Sequence, residues 1–189
     1  MRLLRTMTAL LALTGAGAMG TTGTAGALDA PVGHAAEACS TAWGSGVKSA
    51  GEAQADPLTT ITTRRGRCFD RMIFDTGGAK GDLRHYVGYV GTFRQDGSGD
   101  RIPVSGGAIL QIFVSAPSYD STTGKPSYDA KAGQPLPGVN LTGYRTFKDT
   151  RFGASFEGQT QIGLGVRARL PFRVLQSGDD LIVDVAHTW

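Results

Sequence analysis

The side chains able to do chemistry are few and scattered. Of the 3 histidines, His34 lies in a small, polar N-terminal stretch, which leaves His85 and His187. A metal hydrolase needs three protein ligands and an open fourth position. Asp70 or Asp184 could join the two imidazoles, but no ligand-spacing motif links them. Ser155 stands in Gly153-Ala154-Ser155-Phe156-Glu157-Gly158, whose second glycine falls one position too far away for a nucleophile elbow. Asp70, Asp75, Glu157 and Asp184 are acids of the kind a glycosidase pairs, though such a pair leaves no local signature. Asp96-Gly97-Ser98-Gly99-Asp100 sets two acids four residues apart without the further oxygen ligands and bidentate glutamate of a calcium loop. This inventory predicts no catalytic residue, no metal and no cofactor, hence a protein that is not an enzyme.

Binding chemistry is better represented. Arg167, Arg169 and Arg173 alternate with apolar residues, so one side of a strand would carry three guanidinium forks suited to phosphates or carboxylates. The same row on the wet side of a strand is also an ordinary solvated face that deters edge pairing. Arg64, Arg65, Arg67 and Arg71 cluster around Cys68, a second cationic group that reads as solvated loop or as a contact for an anionic polymer. Tyr119 and Tyr128 sit in a long stretch rich in Gly, Ser, Asp and Pro, from Ser118 to Pro137. There they either stack on a sugar or a partner's surface, or pack the loop down.

Apolar residues occupy every even position from Ile162 to Val174, the period of a half-buried strand. Gln176-Ser177-Gly178-Asp179 supplies a turn, after which Leu181, Val183 and Val185 resume the alternation. Pro171 cannot donate a ladder hydrogen bond and is expected at an edge, a bulge, or a bend dividing the first arm. Further strands are expected over Cys68–Asp75, Leu83–Phe93, Ala108–Ala116 and from Tyr144 toward Phe152. The strand at Ala108–Ala116 is mostly apolar and so expected to be central. His85 shares a face with Val87, Tyr89 and Phe93, which suggests a packed or hydrogen-bonded residue. No helical period appears. The expected fold is all-β, a small antiparallel β-sandwich of about six or seven short strands with a disulfide-tied N-terminal arm.

Residues 1–27 read as a signal peptide, with Arg2 and Arg5 ahead of an apolar run and Ala25-Gly26-Ala27 as a cleavage site. That run is too short for a membrane span. Residues 28–63 read as a flexible lead-in and arm, too glycine-rich for a helix from Cys39 to Lys48 and polar loop from there to Thr63, anchored into the core by Trp43. Residues 64–189 read as the β-domain. The whole chain has 19 basic and 16 acidic residues, and the first 27 hold two of the arginines and no acid. The remainder is therefore close to neutral, which does not suggest a nucleic-acid partner. Export to an oxidising compartment favours a disulfide between Cys39 and Cys68, the 2 cysteines of the chain.

Taken together, Cys68-Phe69-Asp70-Arg71-Met72-Ile73-Phe74-Asp75, Asp96-Gly97-Ser98-Gly99 with Pro103, Ala116-Pro117-Ser118-Tyr119-Asp120, Ser155-Phe156-Glu157-Gly158-Gln159-Thr160 and Val183-Asp184-Val185-Ala186-His187 resemble the AMIN-like domain proteins secreted by actinobacteria. Cys39 and Trp43-Gly44-Ser45 are similar to that family's N-terminal arm. The resemblance implies a relative of the AMIN domain, a β-sandwich found beside peptidoglycan amidases and implicated in peptidoglycan binding. It supplies no catalytic residue to carry over. The function it implies is a secreted, non-catalytic, envelope-associated module for peptidoglycan or teichoic acid, extracellular or held at the cell wall. The alternatives are a domain that docks on or inhibits an envelope protein and, less in keeping with the residues, a cryptic hydrolase.

Overall fold

A computed structural model describes Cys39 and residues 42–189. The signal-peptide reading and the lead-in with His34 lie outside the described residues. Nine strands follow in chain order: β1 (Lys48–Ala50), β2 (Leu58–Arg65), β3 (Phe69–Thr76), β4 (His85–Val90), β5 (Ala108–Val114), β6 (Phe147–Phe156), β7 (Gln159–Val166), β8 (Phe172–Ser177) and β9 (Asp180–Ala186). They form two antiparallel sheets, a five-stranded one in the order β1-β4-β5-β7-β6 and a four-stranded one in the order β2-β3-β9-β8. The described residues include no helix. The fold is the expected all-β sandwich, with more strands than expected.

Alternation builds the core. Leu110, Ile112 and Val114 of β5 and Ile162, Leu164 and Val166 of β7 pack in one buried cluster with Met72 and Phe74 of β3 and Leu181, Val183 and Val185 of β9. As its composition suggests, β5 is the central strand of the larger sheet. Pro171 divides the expected long arm in two, because β7 belongs to one sheet and β8 to the other. The chain crosses between layers there. Pro171 needs no donor of its own, and its carbonyl accepts the amide of Ala186 at 2.9 Å.

The reading of the stretch after Lys48 to Thr63 as polar loop is corrected, since β1 and β2 both reach into it. In β2 a bulge between Leu58 and Thr60 brings Leu58 and Ile61, three residues apart, to the same buried side. The remaining side chains of this edge strand are Thr and Arg, so period two is hidden. The odd positions of β7 were expected to be wet, yet Gln161, Gly163 and Gly165 are buried beneath the segment that follows β4. A Cβ on Gly165 would come within 1.9 Å of the Ser105 carbonyl, and one on Gly163 within 2.8 Å of the Phe93 ring. Glycine lets that segment lie flat on the sheet.

The disulfide forms between Cys39 and Cys68, as expected. It ties the arm to the residue just before β3.

Candidate functional site

The two motif segments around Cys68 and around Asp184 are neighbouring strands, β3 and β9, and their chemistry-bearing residues meet across the pairing. Arg71 stands opposite Asp184, which in turn stands opposite Arg173 on β8. Asp184 is fully buried. Its Oδ1 accepts Arg71 Nε at 2.7 Å, and its Oδ2 accepts Arg71 Nη2 at 2.9 Å and Arg173 Nε at 2.9 Å. The bond to Asp184 raises the Arg71 pKa above its ordinary value, against a smaller opposing effect of burial.

The N-terminal arm covers this triad. The Arg173 guanidinium lies 4.3 Å from the centroid of the Trp43 ring and 5.3 Å from that of Phe69, while the two rings meet edge to face at 5.8 Å. Trp43 is therefore only half-buried, seated on the outer face of the four-stranded sheet rather than in the core as expected. The reason is chemical: a guanidinium pair on the sheet surface offers an aromatic ring a cationic partner. Further along the arm, Gly44 O accepts Phe172 N at 2.9 Å and Ser45 O accepts Arg169 Nη2 at 3.2 Å. Arg169 also lies over the Tyr89 ring at 5.2 Å, and its carbonyl accepts the indole N–H of Trp189 at 2.9 Å.

Asp70, one residue before Arg71, points to the opposite side of the sheet and is 1 % exposed. Its Oδ2 accepts the backbone amides of Thr146 at 2.6 Å and Phe147 at 3.3 Å, and its Oδ1 faces His187 Nε2 at 3.1 Å. His187 Nδ1 lies 3.2 Å from the Arg67 carbonyl, the His187 amide donates to Cys68 O, and Arg167 donates to the His187 carbonyl. Both partners of the His187 ring, a carbonyl and a carboxylate, are hydrogen-bond acceptors. Beside this pair opens a cavity of about 360 Å³ lined by Arg65, Gly66, Asp70, Gly143, Arg145 and His187.

One end of the sandwich thus gathers the arginines around Cys68, those after β7, and Arg145. They do not form the expected row along one strand. β7 ends at Val166, so Arg167 and Arg169 lie in the corner between the sheets and Arg173 lies on β8. The strand pairing Arg71-Asp184-Arg173 and the arm at Trp43 and Ser45 bring the two groups together. The two carboxylates within this end, Asp70 and Asp184, are buried and spent on internal bonds.

The two tyrosines stand elsewhere. Ser127 Oγ donates to Leu58 O at 2.7 Å, which places their loop at the other end of β2 from Arg65. Tyr128 is buried in the core cluster, its hydroxyl donating to Pro137 O at 2.9 Å, and burial raises its pKa. It packs the loop down. Tyr119 is half-buried in an isolated bridge with Pro126.

The carboxylates do not converge: Asp70 and Asp184 face opposite sides of one sheet, Asp75 lies at the far end of β3, and Glu157 sits in the β6–β7 turn. His85 Nδ1 lies 2.9 Å from Leu83 O at the start of β4, in the other sheet from His187. Ser155 Oγ accepts the Ser118 amide at 2.8 Å. Among the described residues no group of three or more His, Cys, Asp and Glu side chains could hold a metal ion.

Sequence reasoning missed Arg145 and the mutual arrangement of Arg71, Asp184 and Arg173, and it offered Asp70 to His187 only as one member of a metal set with His85, which the structure does not assemble. The residues of that mutual arrangement were visible as charges among apolar neighbours, but only the register assigns partners. The family model of the AMIN-like domain matches residues 56–187. No curated protein and no solved structure matches the chain.

Proposed function

The chain belongs to the AMIN-like domain family, and from that membership we propose that it is a non-catalytic module that binds an anionic polymer of the cell envelope from outside the cell. Peptidoglycan, with its peptide carboxylates, and teichoic acid, with its phosphates, are the polymers of this chemistry. One observation carries the reading: arginines remote in sequence converge on one end of the sandwich, where the carboxylates are already consumed. A guanidinium presents a planar fork of donors to an oxyanion, and several on one rigid face sum into a potential that a polyanion meets along its length. Rigid elements hold them, since two lie on β2 and one each on β3 and β8.

The test is co-sedimentation of the purified protein with isolated peptidoglycan sacculi, with and without teichoic acid, across a salt series. The expected result is sedimentation that falls as salt screens exposed charge. A variant combining Arg64→Glu with Arg169→Glu is expected to sediment about tenfold less at low salt, because two charges change sign on a surface that works by Coulomb attraction. Loss of sedimentation on removing teichoic acid would identify the phosphates as the ligand. A fraction bound that responds neither to salt nor to this variant would overturn the reading.

A further inference from the structure

The cavity beside His187 has features that a merely basic surface does not require. Arg65 and Arg145 are exposed and line it, yet neither donates a side-chain hydrogen bond nor forms an ion pair among the described residues. This contrasts with Arg71 and Arg173, which are committed to Asp184, and with Arg167, which is committed to the His187 carbonyl. Arg65 lies beside a glycine. A Cβ at Gly143 would come within 2.7 Å of Arg65 Nη1, so the guanidinium lies against bare backbone at a residue whose φ is +80°. The floor is built from buried groups: Asp70 holds His187 on one side, the Arg67 carbonyl holds it on the other, and the backbone amides of Thr146 and Phe147 satisfy the remaining carboxylate oxygen. Both oxygens of Asp70 are thus turned to internal donors rather than to the cavity, and its single negative charge is outweighed there by the two uncommitted guanidinium forks of Arg65 and Arg145.

We propose that this cavity is a receptor for a single oxyanion, a carboxylate or a phosphate, gripped between Arg65 and Arg145 above His187. The inference rests on the polymer-binding reading for the source of that anion and deepens it: the surrounding arginines attract the polymer, and the cavity selects one group on it. Two guanidiniums around one planar or tetrahedral oxyanion supply paired N–H···O bonds, which a diffuse cationic face does not. A carboxylate would come from the C-terminus of a wall peptide and a phosphate from a teichoic-acid diester.

The experiment is a titration of the isotope-labelled full chain with N-acetyl-D-alanine and, separately, dimethyl phosphate, followed by amide and imidazole NMR shifts. The proposal expects saturable shifts confined to Gly66, Gly143, Arg145 and His187 with at least one of the two probes; whichever binds tighter names the source. Arg65→Gln combined with Arg145→Gln is expected to weaken that binding by about a hundredfold, about tenfold per charged hydrogen-bonding group removed. Arg65→Lys, which keeps the charge and loses the fork, is expected to fall between. Both positions are exposed and without internal bonds, so these variants should melt with the wild type, which circular dichroism checks. Shifts absent with both probes, or unchanged in the double variant, would overturn the proposal. Sacculi that sediment without such shifts would leave the polymer reading standing and remove the cavity. Shifts without sedimentation would do the reverse.

Discussion

Asp184 offers the sharpest test of how the arginine end is held together. The substitution Asp184→Ala removes an acceptor that is wholly buried and takes three charge-assisted bonds from two arginines. Deleting one partner of a buried pair costs about 3–5 kcal/mol when the survivor is left buried. Here the survivors are not: the Arg71 and Arg173 side chains retain 27 % and 34 % of their exposure, so water recovers part of the loss. Discounting for that solvation gives about 2–3 kcal/mol. For a domain of this size the melting temperature should drop by about 5–10 °C. The assay is urea or thermal unfolding followed by tryptophan fluorescence, which also reports Trp43 against Arg173. A control separates charge from packing, because Arg71→Met, Asp184→Leu and Arg173→Met together remove the charges in balance and should cost no more than about 1 kcal/mol. A single variant as stable as the wild type, or a triple variant as unstable as the single one, would refute the reasoning. Binding should move the other way, since losing Asp184 frees two guanidiniums for a polymer.

Two further outcomes are expected. Replacing Cys39 and Cys68 by serine opens a loop with a sequence separation of 29 residues, and should lower stability by about 3–4 kcal/mol in the chain-entropy account. Trp43 fluorescence should change under native conditions as the arm leaves Arg173; identical melts with and without reductant would contradict this. At the far end of β9, burial first, then Asp75 and Asp179, raise the Asp180 pKa, with Arg64 opposing. Because its folded pKa lies above its unfolded one, ionised Asp180 costs stability; that cost is absent below the unfolded pKa and complete above the folded one. Asp180→Asn is therefore expected to stabilise the protein at neutral pH by about 0.2–1 kcal/mol, the range for a like-charged cross-strand contact, and to gain nothing near about pH 3. Equal gains at both pH values would show that charge is not the cause.

What could be read from the sequence and what could not divide along a physical line. Strands dense in β-branched and other apolar residues, such as β5 and β9, announce themselves, and Pro171 marks the change of sheet because a missing donor cannot sit in a central ladder. Alternation fails where geometry breaks it or where both faces are covered. The bulge in β2 turns a period of two into a spacing of three between Leu58 and Ile61. The apparently wet face of β7 is roofed by Phe93 and Ser105, with Gly163 and Gly165 as the only hint. The candidate site is a harder case. Both arginine groups are visible as composition, but sequence neighbours on a strand face opposite ways, so Asp70 and Arg71 enter different clusters. Which arginines are consumed and which are free depends on partners more than a hundred residues away: Arg71 on Asp184 and Asp70 on His187. Arg65 and Arg145 matter for what they lack, and an unmade bond leaves no trace in a sequence. A row of like residues is evidence for charge; only pairing shows which of those charges remain available to a ligand.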